Sequence, residues 1–145
     1  ILTMRSVLYP MLTTFDSPDA ADACVRRERS NTPLQALTMM NDPVFVEAAQ
    51  ARALRVLRES PPDTAQRLQY LFRLTLNRAP RVEELQSLTN FYTQQKSRVQ
   101  SGGADALHCL GIIALSTPPT ESVEAATFVA LARVLMNVDE FINRD

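Results

Sequence analysis

The spacing of hydrophobic residues along the chain predicts a succession of helices. Leu34, Leu37 and Met40 recur at intervals of three and give one apolar face, which is the periodicity of an α-helix rather than the alternation of a strand. Similar spacing recurs further along the chain, so we predict an all-α fold, a compact bundle of about six helices. The predicted helices cover about 33–40, 43–59, 64–77, 80–100, 104–116 and 121–137.

The N-terminal part differs from the rest because it has no sustained hydrophobic period. Residues 1–23 are therefore expected to form an irregular or short-helical segment, anchored to the core through Leu12 and Phe15. In the sequence Phe-Asp-Ser-Pro, Asp16 is expected to bond its own downstream backbone. The remaining residues, 24–145, have the length of one ordinary domain, and we expect a single helical domain there.

The stretch CVRRERSNTPLQALTMMNDPVFVEAA, residues 24–49, carries the clearest signal for a helix start. Ser30 or Thr32 is expected to cap the first helix, because a short side-chain oxygen accepts a hydrogen bond from an unpaired backbone N–H. Pro33 suits the first helical position, where no N–H is needed. The same stretch therefore predicts both where the helix begins and which residues begin it.

The end of that helix and the start of the next are also marked. Asn41 and Asp42 are expected to stop the first helix and cap the second, which Pro43 opens. We expect Gln35 and Asn41 to satisfy backbone groups in the bend between the two helices. The bend is thus predicted to be held by short polar side chains.

Charged residues at helix ends predict two further contacts. Arg78 lies near a helix C-terminus and Glu84 in the first turn of the next helix, so the pair is expected to lock these helices together. The segment NVDEFINRD, residues 137–145, is expected to form a short helical turn that pins Phe141 to the core. Its candidate polar residues are Asn137, Asp139 and Glu140.

Composition and charge exclude several classes of protein. Apolar residues make up 46% and charged residues 21% of the chain, as in ordinary soluble globular proteins. The net charge of −1 supplies no basic field for nucleic acid, so we expect no nucleic-acid binding. No apolar run reaches the roughly 18 to 20 residues that span a bilayer, so we expect no membrane span.

Three arginines form the main candidate binding site. Arg26, Arg27 and Arg29 lie just before a helix start, where guanidinium groups and free N–H groups together bind sulfate, phosphate or carboxylate. The alternative is that these arginines pair with nearby acids. Those acids are Asp16, Asp19, Asp22 and Glu28.

Other reactive side chains give no coherent catalytic or metal site. We expect Cys24 to be buried and inert, because free cysteine is often buried as a small apolar group. His108 and Cys109 are adjacent on a predicted helix and point about 100° apart, so no metal site is expected there. Carboxylates such as Asp16 and Asp42 are expected to cap and pair rather than to catalyse, although acid/base work by two of them is an alternative. For this chain alone we therefore favour a non-catalytic role over an enzyme, and leave the enzyme question open.

Four segments resemble a known family in their order and approximate spacing. They are RSVLYPMLTTFDSPD, CVRRERSNTPLQALTMMNDPVFVEAA, YLFRLTLNRAPRVEEL and ARVLMNVDEFINRD. Together they resemble the C-terminal part of the planctomycete PSD domain, domain of unknown function 1553, and the stretch from Arg27 to Asp42 is the most specific. The resemblance implies a larger exported protein, located outside the cytoplasm, that often carries a c-type cytochrome domain. No Cys-x-x-Cys-His occurs here, so any haem is expected in a neighbouring domain and no cofactor in this chain.

Two functions follow as hypotheses. The first is a non-catalytic helical interaction or scaffolding module, whose partners are other domains of the same polypeptide and a protein bound through the apolar helix 104–116. The alternative is an anion- or polysaccharide-binding part of an exported enzyme that uses Arg26, Arg27 and Arg29. The first is favoured because helix 104–116 is apolar nearly all round and no catalytic set is coherent.

Overall fold

The computed structural model describes residues 9–18, 24–26, 30–102 and 119–143. Across these residues the protein is all-α and its helices pack closely on one another, which confirms the predicted fold class. The helices are α1 (Pro10–Thr14), α2 (Pro33–Asn41), α3 (Pro43–Glu59), α4 (Thr64–Leu76), α5 (Val82–Gly102), α6 (Pro119–Met136) and α7 (Asp139–Ile142). The predicted helix 104–116, with His108 and Cys109, lies outside the described residues.

Helix α6 is the centre of the bundle. It contacts α2, α3, α4, α5 and α7, and most extensively α3 and α5. Phe128 of α6 is fully buried and lies 5.5 Å from the ring of Tyr92 on α5. The buried apolar side chains are Met39, Ala49, Ala53, Val56, Leu68, Leu71, Phe72, Leu88, Tyr92, Ala125, Ala126, Phe128, Val129, Leu131, Ala132, Leu135 and Met136.

Side-chain caps fix where the first helices begin. Thr32 accepts a hydrogen bond from the Gln35 backbone N–H, and the Gln35 side chain accepts one from the Thr32 backbone N–H, which forms a complete capping box. Asp42 caps α3 through the Val44 backbone N–H at 2.9 Å. Asp63 caps α4 in the same way through Gln66. Each cap pairs a backbone donor that the helix leaves unpaired.

Both ends of α5 and the start of α6 differ from the sequence prediction. Helix α5 begins at Val82, two residues after the predicted Pro80, and stays helical through Gly102 although its last turns are polar. Val99, near that end, packs against the core, which gives these turns a tertiary contact. Helix α6 begins at Pro119 rather than at residue 121.

Leu12 and Cys24 lie in other surroundings than the sequence predicted, whereas Phe15 packs as predicted. Phe15 packs against the Phe45 ring at 5.8 Å, but Leu12 is exposed and does not anchor the N-terminal segment. Cys24 is also exposed, with a free thiol, so the prediction of a buried cysteine is wrong. The physical reason is that the described residues around it, Cys24 to Arg26, form no helix and all lie at the surface.

The apolar face of α2 is exposed rather than buried. Leu34 and Leu37 keep 59% and 60% of their accessible surface, and Met40 keeps 38%. The residues of α2 that enter the core are Gln35 and Met39. The hydrophobic period therefore predicts the helix correctly, but the side of α2 that faces the bundle carries Gln35 and Met39.

Candidate functional site

The polar residues of the sequence motifs meet in one region of the molecule. Asp16 follows α1 with a left-handed backbone, φ 54°, a conformation that aspartate tolerates better than most residues. Its Oδ2 accepts hydrogen bonds from the Ser30 backbone N–H at 2.8 Å and from the Ser30 hydroxyl at 2.7 Å. Asp16 therefore ties the segment after α1 to the residues that lead into α2.

Gln35 is the centre of this network and is only 1% exposed. Its Nε2 donates to the Thr14 carbonyl at 2.9 Å, and it lies 3.0 Å from Ser30 Oγ and 3.3 Å from Asp16 Oδ2. Its Oε1 accepts from the Thr32 backbone N–H at 2.9 Å. The side chain thus pairs both ends of its amide, as a buried polar group requires.

This arrangement corrects one prediction and refines another. The bend between α2 and α3 does not use Gln35, whose amide turns toward α1 instead. Asn41 does serve the end of α2, because its Nδ2 donates to the Leu37 carbonyl at 2.8 Å. Arg133 of α6 also serves this end of α2 by donating to the Met40 carbonyl. Thr32, and not Ser30, caps α2.

Arg78 is the centre of a second polar cluster, in the turn between α4 and α5. Two of its nitrogens donate to Glu84 at 2.8 and 2.7 Å, which is the paired geometry that guanidinium and carboxylate groups favour. Two further bonds, at 2.6 and 2.7 Å, run to Glu140 of α7. The guanidinium carbon also lies 4.9 Å from the centre of the Phe72 ring. Arg78 therefore joins α4, α5 and α7.

The electrostatics of this cluster favour its charged form. The hydrogen bonds from Arg78, and then that from the Arg81 backbone N–H at 2.7 Å, lower the pKa of Glu84 to about 2. The Arg78 hydrogen bonds likewise lower the pKa of Glu140, while Glu84 and then Glu140 raise the pKa of Arg78. All three groups therefore stay ionised at neutral pH.

A third set of bonds attaches the C-terminal turn to α2. Asn31 Nδ2 donates to Asp139 Oδ1 at 2.7 Å, and Asn143 donates to the same oxygen at 2.9 Å. Asn137 Nδ2 lies 3.4 Å from the Ala36 carbonyl. Because Asn31 follows Ser30 and Asp139 precedes Glu140, these bonds connect the first two clusters. We call the whole set the polar junction, and its members are Asp16, Ser30, Asn31, Gln35, Arg78, Glu84, Asn137, Asp139 and Glu140.

Phe141 packs beside the junction, against the core. It is partly buried, and the Arg52 guanidinium carbon lies 5.6 Å from the centre of its ring. Arg52 Nη1 also lies 3.4 Å from the sulfur of Met136 at the end of α6. The short helix α7 is therefore fixed by one aromatic contact and by the bonds of the junction.

An open groove adjoins the polar junction between α4, α5, α6 and α7. Its volume is about 800 Å³, and its walls are mainly apolar but include charged groups. The apolar lining residues are Phe72, Leu76, Leu88, Phe91, Val134, Leu135 and Val138, and the polar ones are Arg78, Glu83, Glu84, Ser87, Asp139 and Glu140. A second, more polar cavity of about 650 Å³ shares Leu76, Arg78, Asp139 and Glu140 with it and adds Asn77, Arg81 and Asn143.

The predicted arginine site falls largely outside the described residues. Arg26 is exposed, whereas Arg27 and Arg29 lie outside the described ranges. Anion binding by these three residues therefore stays a prediction. Within the described ranges, no three His, Cys, Asp or Glu side chains are grouped as a metal site would require. None of the helices in those ranges is long and apolar enough to cross a membrane.

Sequence reasoning identified some members of the junction but not their partners. The Arg78 and Glu84 pair, six residues apart, was readable from the helix ends. Asn31 was missed as a site residue, and its partner Asp139 is 108 residues away. The only signal for it is its position between Ser30 and Thr32, inside the most specific motif. The groove was also missed, because its walls come from four helices.

Comparison with known proteins gives one family. A family model described as PSD1, protein of unknown function (DUF1553), matches residues 1–92 of this chain. The match includes α1 to α4 and the first half of α5, while the C-terminal segment that also resembled the family lies beyond it. Neither a curated protein nor a solved structure matches the chain.

Proposed function

The chain belongs to the PSD1 family, described as protein of unknown function (DUF1553), and we propose that it is a non-catalytic helical module of a larger protein. Its role is to pack against another domain of the same polypeptide. The observation that carries this proposal is the exposed apolar face of α2, formed by Leu34, Leu37 and Met40. Exposed apolar surface that lies together on one element is typical of an interaction site.

The hydrogen bonds of the polar junction support the same proposal. Among the described residues these hydrogen bonds include many between the junction's own members: Ser30 and Gln35 bond to Asp16, Asn31 to Asp139, and Arg78 to both glutamates. Asn143, beside the junction, also bonds to Asp139. These bonds join α1, α2, α4, α5 and α7. We therefore assign the motif residues to holding the module in shape, with α2 presented at the surface.

The finer part of the proposal concerns the protein that contains the module. We propose that this protein is exported and that a neighbouring domain carries a c-type cytochrome. The support is the resemblance of the four sequence segments to the planctomycete PSD domain. In this arrangement the module brings no cofactor of its own and contributes by docking.

Substitution of the exposed face in the full-length polypeptide tests the proposal. Leu34→Ser together with Leu37→Ser removes two apolar side chains from α2 that contribute little to the module's own core. We expect the domains to separate, seen as an increase in the radius of gyration measured by small-angle scattering. Val82→Ser is the matched control, because Val82 is 79% exposed and lies on another helix. An unchanged radius in the double variant would reject α2 as the docking face.

A further inference from the structure

The groove between α4, α5, α6 and α7 combines an apolar floor with an acidic rim. Phe72, Leu88 and Leu135 form the deep part of the floor and are almost fully buried, while Val134 is 38% exposed. Phe91 and Val138 are partly buried. The apolar surface that a second molecule can reach without any change in the packing of the core is therefore mainly that of Val134, Phe91 and Val138.

The charges at the groove are unequal. Four carboxylates line it, those of Glu83, Glu84, Asp139 and Glu140, against the single guanidinium of Arg78. Arg81 lines the neighbouring polar cavity, and with it the acids still outnumber the arginines by four to two. Because Arg78 is already bonded to Glu84 and Glu140, its positive charge is offset by two of the acids. The remaining charge at the rim is negative.

An apolar floor beside a negative rim has a defined complement. Amphipathic helices bind grooves of this kind through apolar side chains spaced three and four residues apart. Positively charged side chains that flank those anchors meet the carboxylates of the rim, which favours the correct partner and speeds association. We propose that this groove binds a basic amphipathic segment of a partner protein, with its apolar side chains on the floor and its lysines or arginines at the rim.

A peptide fits this geometry better than an enclosed small molecule. Sites for small ligands typically bury most of the ligand surface, whereas this groove is open to solvent along one side. Its walls come from four helices, and its charged groups come from the turn after α4, the first turn of α5 and the first turn of α7. A segment lying along the groove therefore contacts both the floor and the rim at once.

The test uses a defined probe and the whole chain. The probe is a fluorescein-labelled 18-residue peptide of leucine and lysine, with leucines at helical spacing of three and four. Its counterpart has glutamate in place of every lysine. We expect fluorescence anisotropy to show at least a ~10-fold tighter binding of the lysine peptide, weakening as sodium chloride is raised because salt screens exposed charges. Equal binding of the two peptides, or no binding of the lysine peptide, would overturn the proposal.

Charge reversal locates the interaction. Glu83→Lys changes an exposed rim residue in the first turn of α5, and Glu47→Lys makes the same change in net charge at an exposed position on α3. We expect Glu83→Lys to weaken binding of the lysine peptide about 5-fold, as loss of one attraction and gain of one repulsion at a partly exposed site implies. Glu47→Lys should change the affinity less than 2-fold. Equal losses in both variants would mean non-specific attraction to the chain as a whole.

Two controls keep the outcomes distinct. Circular dichroism must show the same helix content in both variants, because Glu83 lies in the first turn of α5, where a carboxylate stabilises the helix. Decylamine, a small cationic amphiphile, is titrated below its micellar range in the absence of peptide. Groove-dependent binding of decylamine without binding of the lysine peptide would assign the site to a small molecule and reject the peptide. Because neither variant alters α2, this test can fail while the proposed docking through α2 stands.

Discussion

At the scale of single residues, Gln35 explains why the motif at the start of α2 contains a buried polar side chain. Its side chain is buried, yet both ends of its amide are paired, to the Thr14 carbonyl and to the Thr32 backbone N–H. The same residue completes the cap of α2 and connects that helix to α1. One side chain thus performs two structural tasks, which a hydrophobic residue of similar size does not.

Replacement of Gln35 should therefore be costly. Gln35→Ala leaves the Thr14 carbonyl and the Thr32 N–H without these partners and removes buried side-chain volume, so we expect the free energy of unfolding to fall by about 2 to 4 kcal/mol. Urea denaturation at neutral pH measures the change. Gln86→Ala, at an exposed position on α5, is the control and should cost less than about 0.5 kcal/mol. If Gln35→Ala also changed the free energy of unfolding by less than about 0.5 kcal/mol, the central position of Gln35 in the network would be contradicted.

The pairing of Glu84 with Arg78 predicts a dependence of stability on pH. The pKa of Glu84 is lowered from 4.5 to about 2 in the folded chain. As the pH falls, the unfolded chain therefore binds a proton at this carboxyl before the folded chain does. The stabilisation by the pair of Glu84 with Arg78 is present above about pH 4.5 and is lost as the pH falls toward 2. We expect Glu84→Gln to be less stable than the wild type at pH 7, with the difference in Tm shrinking over that range.

Thermal unfolding followed by circular dichroism at pH 7, 4.5 and 3 measures this difference. Glu47→Gln on α3 serves as the control, since Glu47 is exposed. The Glu47 variant should show a nearly constant difference from the wild type. A Glu84→Gln difference that grows on acidification would contradict the pairing.

Sequence reasoning at this scale succeeded where partners are close along the chain. Thr32 and Asp42 act as the predicted caps because the backbone N–H groups they pair with lie three and two residues away. Glu140 reaches Arg78 across 62 residues and Gln35 reaches Thr14 across 21. No local signal encodes such distances, because the packing of whole helices brings these residues together.

At the scale of elements, α2 shows the limit of hydrophobic periodicity. The period identifies a helix and an apolar side, but burial depends on which neighbours are present. Here α1, α3 and α6 contact α2 on the side of Gln35 and Met39. The apolar side is left exposed, in contrast to α4, whose apolar residues Leu68, Leu71 and Phe72 are all buried.

Neighbouring positions on α2 should therefore respond differently to truncation. Met39 is 3% exposed and Leu37 is 60% exposed. We expect Met39→Ala to lower the free energy of unfolding by about 2 to 4 kcal/mol through loss of buried contacts. Leu37→Ala should change it by less than about 0.5 kcal/mol, because exposed positions contribute little and alanine suits a helix. Urea denaturation of both variants measures the two changes in the free energy of unfolding. Equal changes would mean that the apolar face of α2 is covered within this chain.

At the scale of the whole molecule, the residues that match the family model and the C-terminal helices α6 and α7 form one packed unit. The matched residues end at 92, within α5, yet α6 lies at the centre of the bundle and packs against α3 and α5. Helix α7 then bonds back to the matched region through Asn31 and Arg78. The all-α class was predictable from the spacing of apolar residues, whereas the central place of α6 follows from long-range packing that no local pattern contains.

The central claim is that the apolar face of α2 docks on another domain. Hydroxyl-radical footprinting of the full-length polypeptide tests it most directly, because it compares side chains in one sample. We expect Leu34, Leu37 and Met40 to be oxidised several-fold more slowly than their 59%, 60% and 38% exposure in this module implies. Val82, 79% exposed on α5, is the internal reference and should react as a free surface residue. Oxidation rates that, after correction for the intrinsic reactivity of each side chain, follow the exposure of all four residues here would contradict the account.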